Sequence, residues 1–381
     1  MELTYFVAEF QTGLIVGQLP LHGVTLNSAI RQPGSMSAKL DLRRIAKRLD
    51  DGGTYQWTDA QRTLDILKHG RHTIVPAIEN STAGTLDPVD LALGEWWITG
   101  TSGSHADPVV TIEGREMGDY FNHQTNARKW DSDGANVDAV WTARELMHDA
   151  TKLQSPPIAV DLLRGSTSAL TAVTRWPARS IVVADALREL GAGDTWEWTI
   201  KPTIVSVNGV PDRVERELLL MAPRIAIGDP DLLPLEILTP GLRPATGLDV
   251  GWSEDIESRA TEMWSWGAGS GDDQVRSGVV NTPSGGMPVL SRLVTDPSAK
   301  YGPMATTLAR DALAAMQRVP FTVVVDASRM VPTIGGLRWV SRQPSLSMPT
   351  GDEFNARVVE WSWTEPQPGE TDVFAVTMER V

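Results

Sequence analysis

The chain has 381 residues, 41% of them hydrophobic and 22% charged, which is typical of folded globular proteins and unlike disordered chains. Acidic residues outnumber basic ones, 48 against 34, and leave a formal net charge of −14. That charge disfavours a protein that grips nucleic acid, because such binding depends on basic surfaces. The absence of cysteine excludes disulfides, thiolate zinc sites, iron–sulfur clusters and cysteine nucleophiles.

Short strands are predicted through the first 115 residues. β-branched and aromatic residues favour strands at Leu3–Phe10 and Gly13–Leu19, and alternating apolar residues favour another from Met36 to Leu42. A short helix is predicted at Gln61–Lys68. Further strands are predicted at His72–Ile78, Gly94–Thr99 and Val109–Glu113. Such a series indicates a small barrel or sandwich.

Two helices are predicted in the middle of the chain. Apolar residues at helical spacing extend from Val137 to Ala150, and Pro156-Pro157 ends that helix. The second helix has Ser180 as its N-cap and Gly191 as its C-terminal stop. Each helix has one apolar stripe, so each is expected to pack on a neighbouring element.

The strand pattern returns after Thr195. Trp196 and Trp198 share one face of a strand, and Asn208-Gly209 predicts a hairpin to Val214–Met221. Residues 223–250 are predicted to form an ordered crossing segment. A strand at Glu257–Trp266 and a helix at Met304–Met316 follow, the helix with Pro303 in its first turn and with Leu308 and Ala312, and Ala315 or Met316, inward. The last predicted strands are Phe321–Val325, Ala356–Trp363 and Val373–Met378.

An oxygen-rich loop is the candidate ion site. Asp131, Asp133, Asn136 and Asp138 surround Gly134, and calcium prefers several oxygen ligands on one short turn. The spacing departs from the twelve-residue calcium loop, so the alternative is a solvated loop that caps the following helix.

Other candidate motifs lack the partners that their chemistry needs. Gly267–Gly271 is followed by Asp272-Asp273, which would repel phosphate, and favours a flexible loop between strands. His69 and His72 have no third zinc ligand in a recognisable pattern. Gly100–Ser104, next to His105, is interpreted as a turn-rich stretch and lacks the G-x-S-x-G serine motif. The sequence therefore predicts no catalytic, cofactor-binding or metal-binding residue.

Tryptophan is unusually common, 14 residues against 6 phenylalanines and 4 tyrosines. The pairs Trp196/Trp198, Trp264/Trp266 and Trp361/Trp363 stand two apart in predicted strands, which puts both rings of a pair on one sheet face. Two roles stay open for them: packing in a core or between subunits, and stacking against a ligand such as a sugar.

The order of these features resembles that of the baseplate-hub proteins, often called minor tail proteins, of long-tailed (siphovirus-like) bacteriophages. The resemblance covers most of the chain and is one of order rather than of a fixed signature. The segments that carry it are Phe10–Leu42, Gly94–Ile98, Val109–Gly114, Val137–Leu153, Ser180–Leu190, Asp194–Trp198, Glu217–Pro223, Ser253–Gly271 and Met304–Met316.

The resemblance implies an α+β, mainly β fold with two small hub-type β-barrels and an intervening helix-containing domain. It implies a first barrel at 1–115, a helix-rich connecting domain at 116–195, and a second barrel at 196–381 with an inserted segment at about 223–318. The composition, poor in lysine and rich in alanine, glycine, aspartate and valine, indicates a G+C-rich coding sequence and favours an actinobacterial host.

The resemblance also implies a structural virion protein at the tail tip with no enzymatic activity. It would form a homotrimeric ring around the DNA channel, let DNA pass without specific binding, and join the tube end to the distal tail protein, the tape measure protein and other minor tail proteins. The amino terminus lacks an export signal and no run of about 18 apolar residues occurs, which predicts assembly in the host cytoplasm without membrane insertion. The alternatives are a cell-wall glycan hydrolase and a carbohydrate-binding module for host attachment.

Overall fold

The fold is α+β and mainly β, which confirms the predicted fold class. The computed structural model describes residues 3–30, 32–45, 47–48, 55–56, 58–67, 70–78, 92–104, 107–131, 136–152, 158–161, 170–172, 176–190, 196–207, 209–222, 224–225, 234–237, 247–252, 260–280, 289–297, 299–316, 320–327, 330–342 and 352–380. Within these ranges the helices are α1 (Thr58–Ile66), α2 (Ala139–Lys152), α3 (Val183–Glu189) and α4 (Gly302–Met316). None of the described helices has the length and hydropathy that crossing a bilayer requires.

The described strands range in length from two to thirteen residues. They are β1 (Leu3–Glu9), β2 (Ile15–Leu19), β3 (Leu21–Ala29), β4 (Ser35–Asp41), β5 (Lys47–Arg48), β6 (Tyr55–Gln56), β7 (His72–Ile78), β8 (Trp96–Ser104), β9 (Asp107–Glu116), β10 (Asn136–Asp138), β11 (Ile158–Asp161), β12 (Leu170–Ala172), β13 (Glu197–Val207), β14 (Val210–Met221), β15 (Pro234–Ile237), β16 (Gly247–Trp252), β17 (Glu262–Trp266), β18 (Arg276–Val280), β19 (Ser291–Thr295), β20 (Pro320–Asp326), β21 (Leu337–Arg342), β22 (Asp352–Thr364) and β23 (Val373–Arg380).

Thirteen strands form one large sheet in the order β2-β1-β7-β8-β9-β4-β3-β22-β21-β15-β16-β20-β23. Because β22 also pairs with β23, the last six strands of this order close into a ring. The other seven strands join the ring where Thr25–Ala29 of β3 pair with Glu360–Thr364 of β22. One apolar core runs through both parts, and within it the ring of Trp96 meets that of Trp361 edge-on at 6.2 Å.

A separate three-stranded sheet, β11-β14-β13, packs with the helices of the middle segment. The predicted hairpin is confirmed: Val207 pairs with Val210, and Gly209 has φ +77°, a conformation that glycine adopts without strain. Trp196 is fully buried beside α3, where its Nε1 donates to the carbonyl of Leu190 at 2.9 Å. The middle segment therefore has its own apolar core.

A second small sheet, β18-β17-β19, carries α4 on one face. Met263 and Ser265 of β17 point toward the helix, and the Ser265 hydroxyl donates to the carbonyl of Ala305 at 2.6 Å. The buried stripe of α4 consists of Ala305, Ala309 and Leu313, one residue away from the predicted Leu308 and Ala312. Ala305 and Ala309 are small, which lets this part of the helix approach the sheet closely.

The second predicted helix begins later than expected, and Ser180 is not its N-cap. The cap position is Val182, which makes no side-chain cap hydrogen bond. The backbone N–H groups of Ser180 and Ile181 donate instead to Oδ1 of Asn126. This side chain holds the entry segment in a turn, so the helix starts only after it.

Two segments contain strands that the sequence did not predict. Gly100–Ser104 belongs to β8 and pairs with β9, so the prediction of a turn there is wrong. Residues 223–250, predicted as a crossing segment, contain β15 and the start of β16, and both pair in the large sheet. Their partners β20 and β21 lie far along the chain, so no local pattern signals this pairing.

The division at residues 115 and 195 stays a prediction. Strand pairing shows which strands belong to each sheet, but it does not fix borders at these two residues. β13 and β14 pair outside the large sheet, whereas β15 and β16, within the expected insertion, pair inside it.

Candidate functional site at the junction of the sheets

The hairpin β13–β14 is bound to the large sheet through a fully buried ion pair. Nε and Nη2 of Arg216 each lie 2.7 Å from an oxygen of Glu95, in a two-pronged arrangement. Thr73 donates to the same carboxylate at 2.6 Å, and Arg216 also donates to the carbonyl of Phe10 at 2.8 Å. All three guanidinium nitrogens of Arg216 and both carboxylate oxygens of Glu95 have hydrogen-bond partners. Burial of two charges requires such partners.

Strand alternation places Arg216 at this position. It has the same parity along β14 as Val214 and Leu218, both buried, so its side chain must point inward. Glu95 directly precedes the buried Trp96 at the start of β8. Neither residue is among the candidate site residues predicted from the sequence, although a charge at an inward strand position is a signal of a buried ion pair.

A second buried cluster binds the same hairpin to the closed ring. Arg357 of β22 donates to both oxygens of Glu197 in β13 and to Glu379 of β23, the last at 2.8 Å. Arg224 donates to Glu379 at 2.7 Å. The four side chains carry two positive and two negative charges, so the cluster is neutral as a whole.

The surroundings of Arg357 keep its charge in place. Burial alone lowers the pKa of this guanidinium, but the hydrogen bonds and charges of Glu197 and Glu379 outweigh burial and raise the pKa above its ordinary value. Glu197 also accepts the backbone N–H of Ile225 at 2.9 Å. The two clusters together tie the hairpin both to the seven-stranded part of the sheet and to the ring.

A cavity of about 310 Å³ lies where these three parts meet. Its walls come from the large sheet, from the hairpin and from residues 331–334 near the ring. They are mainly apolar and hydroxyl-bearing: Ser28, Ala92, Leu93, Gly94, Glu116, Thr199, Ile200, Lys201, Pro202, Thr203, Leu219, Val331, Pro332, Thr333, Ile334 and Trp361. Within the described lining Glu116 is the one carboxyl group, so the cavity lacks the carboxylate pair that glycoside hydrolysis ordinarily uses.

The carboxyl of Glu116 is perturbed by this environment. Burial raises its pKa from 4.5 to about 7, against hydrogen bonds from the Ser28 side chain and the backbone of Gly34 and Ala29, which lower it. The folded protein thus holds a proton that the unfolded chain releases near its ordinary pKa. This group's contribution to stability is full below pH 4.5 and is lost as the pH rises through about 7.

The candidate ion loop is described only in part. Asp133 and Gly134 lie outside the described residues, as does the side chain of Asn136. Asp131 pairs with Lys129 at 3.0 Å, and Oδ1 of Asp138 accepts the N–H groups of Val140 and Trp141 at the start of α2. The cap predicted for this loop is confirmed at Asp138. Within the described ranges no cluster of three or more metal-ligating side chains occurs.

The remaining candidate motifs take structural positions. Gly267–Gly271 lies in the loop between β17 and β18, which confirms a loop between strands and contradicts a strand–loop–helix phosphate site. His72 begins β7, whereas His69 and His105 fall outside the described residues.

The three tryptophan pairs divide into two environments. Trp361 and Trp363 are buried in the core of the large sheet, and Trp196 and Trp198 pack in the middle core, so these two pairs have the packing role, one of the two left open by the sequence. Trp264 and Trp266 lie on the exposed face of β17, opposite α4. Core packing therefore explains two pairs and leaves the third open.

Comparison with solved structures gives full-length matches to tail proteins. The tail protein from Neisseria meningitidis matches with a TM-score of 0.56 at 12% identity, covering 98% of this chain and 96% of that chain. The 43 kDa tail protein of prophage MuSo2 from Shewanella oneidensis matches with 0.57 at 9% identity, over 99% and 98%. The chain has the fold of prophage tail proteins. The prophage tail protein gp18 from Listeria monocytogenes matches with 0.52 at 8% identity, over 99% and 94%.

Sequence comparison adds nothing to this result, because no protein-family model and no curated protein matches the chain. A shared fold at such identities does not by itself establish a shared role.

Proposed function

We propose that this chain is a structural protein of the phage virion, the baseplate hub at the tip of a long tail. In this proposal three copies form a ring around the DNA channel and join the end of the tail tube to other tip proteins. The observation that carries the proposal is the fold match to tail proteins, which spans nearly all of this chain and nearly all of theirs. The expected neighbours are the distal tail protein, the tape measure protein and other minor tail proteins.

The two buried ion clusters suit a part of a particle that must resist mechanical stress. Both join strands that are distant in sequence, and both are bidentate at one arginine. Fixed geometry of this kind resists sliding of one sheet over another, because each shift would leave charges buried without partners. We propose that the clusters keep the amino-terminal and carboxy-terminal parts of each chain in a fixed relative position within the ring of three copies.

The net charge of −14 supports passage of DNA rather than binding of it. An acidic channel wall repels phosphates at close range and offers no basic footprint for counterion release. We propose that part of the acidic surplus lines the channel.

One exposed apolar edge is suited to a contact between copies. β2 is an end strand of the large sheet. Leu14, directly before β2, forms an antiparallel bridge with Arg213 of β14, so the start of β2 lies antiparallel to β14. That direction brings Val16, 40% exposed, toward the hairpin end, where Val210 is 65% exposed. We propose that a neighbouring copy covers this edge, because exposed strand edges otherwise promote unwanted pairing.

We further propose that the chain has no enzymatic activity and resides in the tail tip after assembly in the host cytoplasm. The structures that it resembles are described as tail proteins, not as enzymes. Incubation of the purified protein with cell walls tests the alternative of a glycan hydrolase, which predicts release of soluble glycan.

The mass of the native protein and its position in the particle test the main proposal. A homotrimer would have a mass of about 125 kDa, three chains of 41.5 kDa. Electron microscopy of the particle should place three copies around the channel at the tail tip. A monomer in the particle, a position away from the tip or a basic channel wall would contradict the proposal.

A further inference from the structure

The exposed face of the small sheet β18-β17-β19 carries an aromatic platform. Trp264 is 44% exposed and Trp266 is 38% exposed. Met263, which precedes Trp264, and Ser265, which lies between the two tryptophans, are buried under α4. We propose that this face binds a glycan built of β-linked pyranoside units, with Trp264 as the stacking surface. This inference stands on the geometry of these strands and is independent of the hub proposal.

The Trp264 ring lies flat on the neighbouring strand. A Cβ built on Gly278, its partner in β18, would lie 2.9, 3.0 and 3.1 Å from three consecutive atoms of the ring. Nearly equal distances to three adjacent atoms mean that this point faces the plane of the ring rather than its edge. One face of Trp264 therefore covers Gly278, and the opposite face is turned to solvent.

Polar contacts hold the ring in this position. Its Nε1 donates to Glu262 at 2.7 Å, and Ser291 of β19 donates to the other oxygen of the same carboxylate. At the other end of the face the Arg276 guanidinium lies 5.3 Å from the centre of the Trp266 ring and donates to the carbonyl of Gly271 at 2.7 Å. The platform is thus fixed before any ligand arrives, which lowers the entropy cost of binding.

The mixture of groups on this face fits a sugar. The face of an indole ring is electronegative and attracts the C–H groups on the flat side of a pyranoside. Leu293 of β19, 51% exposed, lies beside Trp264 and extends the apolar surface. Glu262, Ser291, Thr295 and Arg276 lie around this surface at outward positions of the three strands, where they can bind sugar hydroxyls. A ligand with one apolar side and a rim of hydroxyls matches an aromatic surface with a rim of polar groups.

The size of the face argues for a small ligand rather than for a subunit. Three strands of five residues span about 14 Å by 17 Å, which is about 240 Å². A stable protein interface buries about 800 Å² on each partner. Two or three sugar units, in contrast, fit within these dimensions.

Binding of chitotetraose and cellotetraose, two soluble β-1,4-linked tetrasaccharides, tests the proposal by titration calorimetry on the full chain. We expect the wild type to bind at least one of them, and Trp264→Ala to weaken that binding at least about tenfold. Gly278→Ala keeps the tryptophan but lifts its ring out of place, so it should weaken binding as well. Trp141→Ala is the matched control, because Trp141 is a 50% exposed tryptophan on α2, and it should bind as the wild type does.

Circular dichroism and thermal unfolding of each variant establish that the fold is retained. Failure of the wild type to bind either sugar overturns the proposal, as does equal binding by folded Trp264→Ala. If neither sugar binds and Trp264→Ala instead lowers the mass of the native assembly, the face is a contact between copies and the proposal is wrong.

Discussion

Glu95→Gln tests whether the buried pair holds the hairpin β13–β14 against the large sheet. The substitution keeps the size of the side chain and an acceptor for Thr73, but it removes the charge opposite Arg216. The Arg216 side chain is fully buried, so its charge would keep only neutral acceptors such as the carbonyl of Phe10. Removing one partner of a buried ion pair costs roughly 3–5 kcal/mol, a large part of the roughly 5–15 kcal/mol that stabilises a typical domain.

Arg216→Met and the double variant complete a thermodynamic cycle. Arg216→Met leaves the Glu95 carboxylate without its counter-charge and should destabilise the protein by a similar amount. The double variant removes both charges, so its loss should be smaller than the sum of the two single losses by at least about 2 kcal/mol. This difference measures the coupling between the two side chains.

Urea unfolding at pH 7, followed by tryptophan fluorescence, measures these losses, because Trp96 and Trp97 directly follow Glu95. Glu215→Gln is the control, since Glu215 forms an exposed pair with Arg213 on the same strand as Arg216, and it should leave the unfolding midpoint unchanged. The reasoning is refuted if Glu95→Gln costs less than about 1 kcal/mol or if the single losses add fully in the double variant.

Three further substitutions test other parts of the structure. In the wild type the free energy of unfolding should fall as the pH rises from 4.5 to about 7, and Glu116→Gln should remove this fall. Above pH 7 the variant should therefore be more stable than the wild type by at most about 3 kcal/mol. If urea unfolding shows the same dependence of unfolding free energy on pH in both proteins, the raised pKa is contradicted. Val16→Asp should reduce the native mass measured by light scattering from trimer to monomer, because it buries a charge at the proposed contact, and a trimer that persists would place the contact elsewhere. Gly13→Ala should lower the melting temperature strongly, since Gly13 has φ +73° and a Cβ there would lie 2.3 Å from the carbonyl oxygen of Val214. Gly17→Ala, with nothing within 4 Å, is its control, and equal melting temperatures for the two variants would contradict the close approach.

Local patterns in the sequence predicted those elements whose signal is local. The alternation of Met36, Ala38 and Leu40 matches the buried side of β4, and Asn208-Gly209 matches the hairpin because two residues alone define such a turn. β15 escaped prediction because a strand of four residues, Pro234–Ile237, gains its stability from parallel pairing with β21, about a hundred residues away. No window of sequence contains that partner.

The candidate site was harder to predict than the strands for a similar reason. Arg216 stands at an inward position, and this alone marks it as unusual, but its partner Glu95 lies 121 residues earlier. The raised pKa of Glu116 likewise comes from burial in the folded protein, and the hydrogen bonds that oppose the rise come from Ser28, Ala29 and Gly34, in a different part of the chain. For the tryptophan pairs, the spacing in the sequence predicts that both rings of a pair lie on one face of a strand. It does not predict whether that face is buried, and only the three-dimensional structure shows that the face of β17 is exposed and the other two are in cores.

The pairing of β22 sets an order for folding during synthesis. Its first half pairs with β21 and its second half with β3, while β23 covers its other edge. Thr25–Ala29 of β3 therefore stay unpaired on this edge during synthesis until Glu360–Thr364 have left the ribosome, more than 330 residues later. Such a delay exposes a strand edge to other nascent chains. A chain that ends before β22 would keep this edge open, so premature termination should yield aggregates rather than a soluble amino-terminal fragment.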